Sequence, residues 1–213
     1  MEKIELDDIQ KDALQEVANI GVSHAATALS QMVNKDIQIG IPSVDVIPLE
    51  QTVDCVKDHK IAVGVYLKLS DELPMYVLLL IPKESAFVLA AMLLGEKHDE
   101  SKTILSEMDR SAIQEVANII MCPFFDSLTG LLGIPLMPGP PALAYDEPVA
   151  VMDYILIQIG QVSDQVVVFD VDLHEEKGSS FTINMFLLPE PKSIDIILEK
   201  LGMASAQVMG MEG

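Results

Sequence analysis

The 213-residue chain is half hydrophobic, which leaves ample material to bury a core in one large domain or two small ones. Its formal net charge of −20, from 33 acidic against 13 basic side chains, excludes a nucleic-acid partner and disfavours an anionic membrane surface, because both need clustered Lys and Arg. The acidic opening Met1-Glu2-Lys3-Ile4-Glu5 is no secretory leader, and Cys55 and Cys122 are too few and too far apart to imply a disulfide framework. A cytoplasmic, reducing setting without membrane insertion is therefore expected, the longest apolar region being interrupted at Pro82-Lys83-Glu84.

Taken in order, Asp7 or Asp8 caps a first long helix that runs to about Val33 and stops at Asn34-Lys35-Asp36. Ile37, Ile39 and Ile41 alternate with small or polar residues as in a strand, and residues 44–49 continue extended beyond Pro42. Residues 61–69 and 75–81 predict two further strands about a Ser70-Asp71-Glu72 turn. Pro82 stands where a first helical residue would, ahead of a short helix over 84–94 stopped by Gly95. A polar joint over 96–103 precedes Ser106, which with Asp109 predicts a capping box for a second long helix, one that Pro123 should bend unless neighbouring groups compensate. Beyond Ala142 the chain runs extended, then through an apolar segment, 149–162, readable as helix or strand. Strands over 166–173 and 180–188 about the Glu175-Glu176-Lys177-Gly178 turn and a closing helix over 192–201 complete it.

The two long helices carry one motif written twice. Residues 15–20, Gln-Glu-Val-Ala-Asn-Ile, return unchanged at 114–119, and each Asn is followed after 22 residues by a proline, Pro42 and Pro141. The offset is 99 here and 107 at the ends of the halves, where Ile81-Pro82 matches Leu188-Pro189, so the second half holds eight extra residues between about Asp146 and Gly178. Such recurrence marks a duplicated supersecondary unit. The expected fold is α+β: a single domain of two repeats, about 1–98 and 104–213, sharing a continuous, mostly antiparallel sheet with the long helices packed on it.

At 100° per residue, Asp8, Asp12, Glu16, Asn19, Ser23 and Ser30 fall on one stripe, and Glu107, Ser111, Glu115, Asn118, Cys122 and Thr129 on its counterpart. The rest of each helix is mainly apolar, so each should be buried around much of its circumference and show one narrow polar face. A lone Glu and Asn on such a face would be solvated surface. Here they persist unchanged between halves that have otherwise diverged, which raises the weight of a functional role. Gly21-Val22-Ser23-His24 superficially suggests a nucleophile elbow, but it lies within a helical pattern and lacks the second glycine. His24, His59, His98 and His174 have no metal-ligand spacing, and Asp170, Asp172, Glu175 and Glu176 lack the calcium-loop glycine spacing; alternation places Asp170 and Asp172 on the outer face of a strand, which reads as a solvated edge.

The pattern Asp/Ser-x3-Glu-x2-Asn-x22-Pro, occurring as Asp12, Glu16, Asn19, Pro42 and as Ser111, Glu115, Asn118, Pro141, resembles the signature of the CheC, CheX and FliY phosphatases of chemotaxis. Two intact copies without an added switch-protein domain resemble the CheC type. The resemblance implies hydrolysis of the aspartyl phosphate of the receiver CheY. In that reading Glu16 and Glu115 engage the receiver's lysine, Asn19 and Asn118 orient the attacking water, and Asp12, Pro42, Ser111 and Pro141 support the motif. It implies no cofactor bound by this chain, with Mg2+ held by the receiver, and a second partner, the deamidase CheD. The competing expectation is a CheC-like adaptor that binds CheD or a receiver with little or no catalysis.

Overall fold

The computed structural model describes residues 6–55, 60–69, 72–99, 101–159, 164–175, 180–190, 193, 196, 197, 199 and 200. Helix α1 (Asp8–Val33) begins in a capping box, Asp7 accepting from the Gln10 backbone N–H while the Gln10 side chain accepts from that of Asp7. It ends at Asn34, whose φ of 51° is the left-handed cap. Strand β1 (Ile37–Pro48) leads into a 3-10 helix (Leu49–Cys55), then β2 (Ala62–Lys68), β3 (Met75–Pro82) and α2 (Lys83–Leu94). The second half runs α3 (Glu107–Leu132), β4 (Ala142–Asp146), α4 (Pro148–Ile159), β5 (Gln165–Glu175) and β6 (Ser180–Pro189). Both long helices have 26 residues, and α3 opens on the expected Ser106/Asp109 box and closes on left-handed Gly133.

The six strands form one antiparallel sheet in the order β1-β5-β6-β3-β2-β4. Exchanging each strand for the one at the same place in the other half turns this order into itself read backwards, the relation a twofold axis between β6 and β3 produces. Among the described residues β1 pairs only with β5, and β4 only with β2, so each half's first strand is held by the other half.

The larger core lies between one face of the sheet and helices α1, α2 and α3, fed by alternate positions such as Val77, Leu79, Val167, Phe169 and Met185. The intervening positions, Leu78, Leu80, Val166, Val168 and Phe186, meet Val151 and Met152 of α4 on the opposite face. Strand β3 is thus covered on both sides, which explains its unbroken run Val-Leu-Leu-Leu-Ile. Helix α3 packs against both α1 and α2 and sets Phe124 edge-on to Phe169 at 5.2 Å.

Several expectations change. Helix α3 is widely buried, as expected, but α1 buries only Leu14, Ala18, Gly21, Val22, Ala25 and Leu29, because it flanks the helical layer while α3 occupies its middle. Pro82 ends β3 and caps α2 instead of opening it. The ambiguous apolar segment is helical from Pro148, its buried side supplied by Val151 and Met152. Strand β5 lies between β1 and β6, so Asp170 is no edge residue: its carboxylate accepts from Ser43 and Asn184, at 2.8 Å each. Helix α3 runs unbroken through Pro123, and by length and composition it could span a bilayer. Its apolar side chains instead pack into the larger core, in contact with α1 and α2. The turns at 70–71 and 176–179 and much of the closing helix at 192–201 lie outside the described residues.

Two residues fix the helices in place. A Cβ on Gly21 would stand 2.6 Å from the Phe124 Cα and 3.0 Å from the Pro123 carbonyl oxygen, so α1 and α3 approach at backbone distance there. Gly21→Ala should destabilise the fold by about 1–3 kcal/mol in urea denaturation, since backbone must give way. Asp109 is 1% exposed; burial opposes its charge, but Lys102 at 2.7 Å and the Ser106 bonds outweigh this and hold its carboxyl below the usual range. A carboxyl with a lowered folded-state pKa contributes stability above its unfolded pKa and loses it as pH falls through the folded one. Asp109→Asn should therefore cost about 1–3 kcal/mol at pH 7. The gap to the unaltered chain should close in acid, below the ordinary carboxylate range.

Candidate functional site

The site begins with an irregularity in β1. Opposite β5 the register moves from Gly40↔Asp172 to Ser43↔Asp170, so Ile41 and Pro42 together face the single residue Val171. This is a β-bulge, a place in a sheet that tolerates a proline without an N–H. Its effect shows in the alternation: Ile37 and Ile41 reach the larger core before it, Val44 and Val46 after it.

Because β1 is an edge strand, the backbone of Ile41, at the bulge, faces away from β5 and is left to helix α1. Gln15 Nε2 donates to the Ile41 carbonyl at 3.1 Å, and the Ile41 N–H donates to Asn19 Oδ1 at 2.9 Å. Farther along the stripe, Ser30 Oγ accepts from the Ile37 N–H at 2.9 Å and donates to its carbonyl at 3.1 Å. The stripe residues thus divide into two kinds. Ser30 ties the helix to the strand, while Asp12, Glu16 and Ser23 stay exposed. Asn19 belongs to both kinds, with its oxygen held by the strand and its residue exposed.

In the second half the outer ties recur. Gln114 Nε2 donates to the Pro141 carbonyl at 3.1 Å, and Thr129 Oγ1 accepts from the Leu136 N–H at 3.1 Å. The middle tie does not. Pro140 and Pro141 have no N–H, and the half-buried Asn118 makes no side-chain hydrogen bond among the described residues. Pro138, Pro140 and Pro141 also explain why β4 starts only at Ala142, whereas β1 starts at Ile37. Ser111 and Glu115 are exposed, and Pro141 is half-buried.

Beside α1, Glu16, Asn19, Ile20, Ser23 and His24 line an open depression of about 500 Å3. A second depression, about 420 Å3, adjoins it at Ser23 and runs between α1 and β1 past Ser30, Asp36 and Gln38. His24 is exposed on the depression's wall, not packed, and the residue at its place in α3 is Pro123. Ser23 lies mid-helix, without the strand-to-helix turn a nucleophile elbow needs. No group of three potential metal-binding side chains occurs among the described residues. What the site offers chemically is a carboxylate acceptor and, one turn away, a carboxamide. The sequence reading missed Gln15, Gln114 and the Ile41 backbone, although both glutamines stand inside the verbatim repeat.

Residues 9–45 match the model of the CheC-like family. The chain is 26% identical over 196 residues to the CheY-P phosphatase CheC of Bacillus subtilis, covering 91% of this chain and 94% of that one. Over 117 residues it is 30% identical to the flagellar motor switch phosphatase FliY of the same organism, 55% of this chain and 30% of FliY. In fold it is similar to Thermotoga maritima FliY, with a TM-score of 0.73 at 24% identity over 93% of this chain and 98% of that one. It is also similar to the FliM middle domain of H. pylori, with a TM-score of 0.67 at 13% identity over 92% and 99%.

The α3 face carries a built-in reporter. Burial, then the charges of Asp126 and Glu115, push the Cys122 thiol above its ordinary pKa. Alkylation of Cys122, followed by peptide mass spectrometry at neutral pH, should be slower than that of an exposed cysteine. Glu115→Gln should accelerate it by removing one of the opposing charges.

Proposed function

Because this chain is a homologue of the CheC and FliY phosphatases, we propose that it hydrolyses the aspartyl phosphate of a CheY-type receiver in the cytoplasm. The observation that carries the reading is the Glu/Asn pair repeated on α1 and α3, exposed but for the half-buried Asn118, on a chain similar along 91% of its length to a CheY-P phosphatase. Glu16 and Glu115 meet the receiver's active-site lysine in a charge-assisted contact that sets register. One turn on, Asn19 and Asn118 hold the attacking water in line. Asp12, Ser111, Pro42 and Pro141 support that geometry, Pro42 beside the Ile41 that holds Asn19 and Pro141 only through the carbonyl that Gln114 grips.

The chemistry suits these groups. Phosphoryl transfer is catalysed largely by positioning and charge stabilisation, so a carboxamide suffices where the receiver supplies the phosphoryl group and holds the Mg2+. This chain then contributes neither nucleophile nor cofactor. A second reading is favoured by the FliM likeness, because the same architecture occurs in a protein not described as a phosphatase. There the chain would be an adaptor binding CheD or a receiver.

Purified chain incubated with Mg2+ and phosphorylated CheY should remove phosphate faster than the receiver loses it alone, with CheD present or absent. Asn19→Ala combined with Asn118→Ala should abolish the acceleration while circular dichroism stays unchanged. A single effective Asn should be worth about 10- to 1000-fold. Binding without turnover would establish the adaptor instead.

A further inference from the structure

We infer that the two Asn sites are unequal, the first carrying most of the turnover, because the Ile41 N–H anchors Asn19 while two prolines leave Asn118 without such a donor. The inference rests on the function proposed above and assigns positioning roles to groups outside the motif's Glu and Asn: the Ile41 N–H in one half, and Pro140 with Pro141 in the other.

A carboxamide has a donor end and an acceptor end of nearly the same shape, so which end faces outward must be fixed by something. For Asn19 the Ile41 N–H fixes it: Oδ1 is engaged at 2.9 Å, and Nδ2 is left as the group available to a water or a phosphoryl oxygen. Ile41 is itself immobilised, 2% exposed in the larger core, with its carbonyl held by Gln15. Asn19 therefore meets its target in one orientation.

Asn118 has no equivalent. Gln114 still grips the strand, but at the Pro141 carbonyl, one residue farther along than the counterpart of Ile41. In either register the residue that would offer an N–H is a proline. The segment cannot readily slide to offer another, because the Gly139 N–H is bonded to the Lys68 carbonyl at 2.8 Å and a Cβ at Gly139 would lie 3.2 Å from that oxygen. The Asn118 amide must be ordered when the receiver docks, and ordering one side chain costs about a 3- to 10-fold factor in rate. The two faces also differ beside the amide, where His24 in α1 is replaced by Pro123 in α3.

The test uses the full chain and phosphorylated receiver in steady state. Asn19→Ala should lower kcat about 3- to 10-fold more than Asn118→Ala does. In the Asn19→Ala chain, Pro140→Ala with Pro141→Ala restores a donor in both registers and should raise kcat with KM unchanged, and adding Asn118→Ala should abolish that gain. Equal losses from the two Asn changes, or a larger loss from Asn118→Ala, would overturn the inference, as would a gain that survives Asn118→Ala. Should the proline variant not fold, amide hydrogen exchange decides: the Ile41 N–H should exchange slowly, and faster in Asn19→Ala, and an Ile41 amide indifferent to Asn19 would equally overturn it. An unaltered chain without turnover contradicts the proposed function, whereas the exchange result bears on the anchor alone.

Discussion

The tie between helix α1 and the backbone of Ile41, on the free edge of the sheet, is the constraint from which the site follows. A central strand spends its backbone groups on two neighbours, but β1 lies at the sheet's edge, so the outward N–H and C=O groups of alternate residues are left for helix α1, as at Ile37 with Ser30. Four residues on, Ile41 again presents its N–H and C=O to α1, and the bulge seats Pro42, which needs no partner, immediately after it. Gln15 and Asn19 sit four apart, one turn, and take one each. The proline 23 positions after the Asn is thus part of the same device as the amide.

The rest of the fold keeps that device rigid. Each half lends its first strand to the other half's part of the sheet, and α1 and α3 touch at backbone distance where Gly21 meets Pro123 and Phe124. The two motif helices therefore belong to one packed layer. On α1 the carboxamide is set by the strand beside it, whereas on α3 it is not. The architecture itself is neutral toward chemistry, since FliY and the FliM middle domain share it. The case for chemistry therefore rests on the repeated Glu and Asn of the helix faces, not on the fold.

Much of this was legible in the residues, for physical reasons. Caps at Asp7, Ser106 and Gly95, the alternation of Ile37, Ile39 and Ile41, and the verbatim repeat located the helices, the strands and the stripes, because local hydrogen bonding and periodicity fix those features. The environment of Asp170 was not legible, because the pairing of β5 between β1 and β6 is long-range and alternation alone cannot tell a central strand from an edge. The difference in burial between α1 and α3 had the same origin, in which helix takes the middle of the layer. The ties from Gln15 and Ser30 were hidden because a polar stripe looks alike whether it faces solvent or the backbone of a neighbouring strand. Pro140 beside Pro141, where the first half has Ile41 beside Pro42, is the signal in the sequence that the two Asn anchors differ.

The central claim is that the polar faces of α1 and α3 are where the receiver sits. Hydrogen-exchange mass spectrometry of this chain, with and without CheY held in its phosphorylated form by beryllium trifluoride, addresses it directly. The account predicts new protection along α1 around residues 12–24 and along α3 around 111–123, with little change in α4 on the opposite face of the sheet. Protection confined to α4, with both motif helices exchanging as in the free chain, would contradict it.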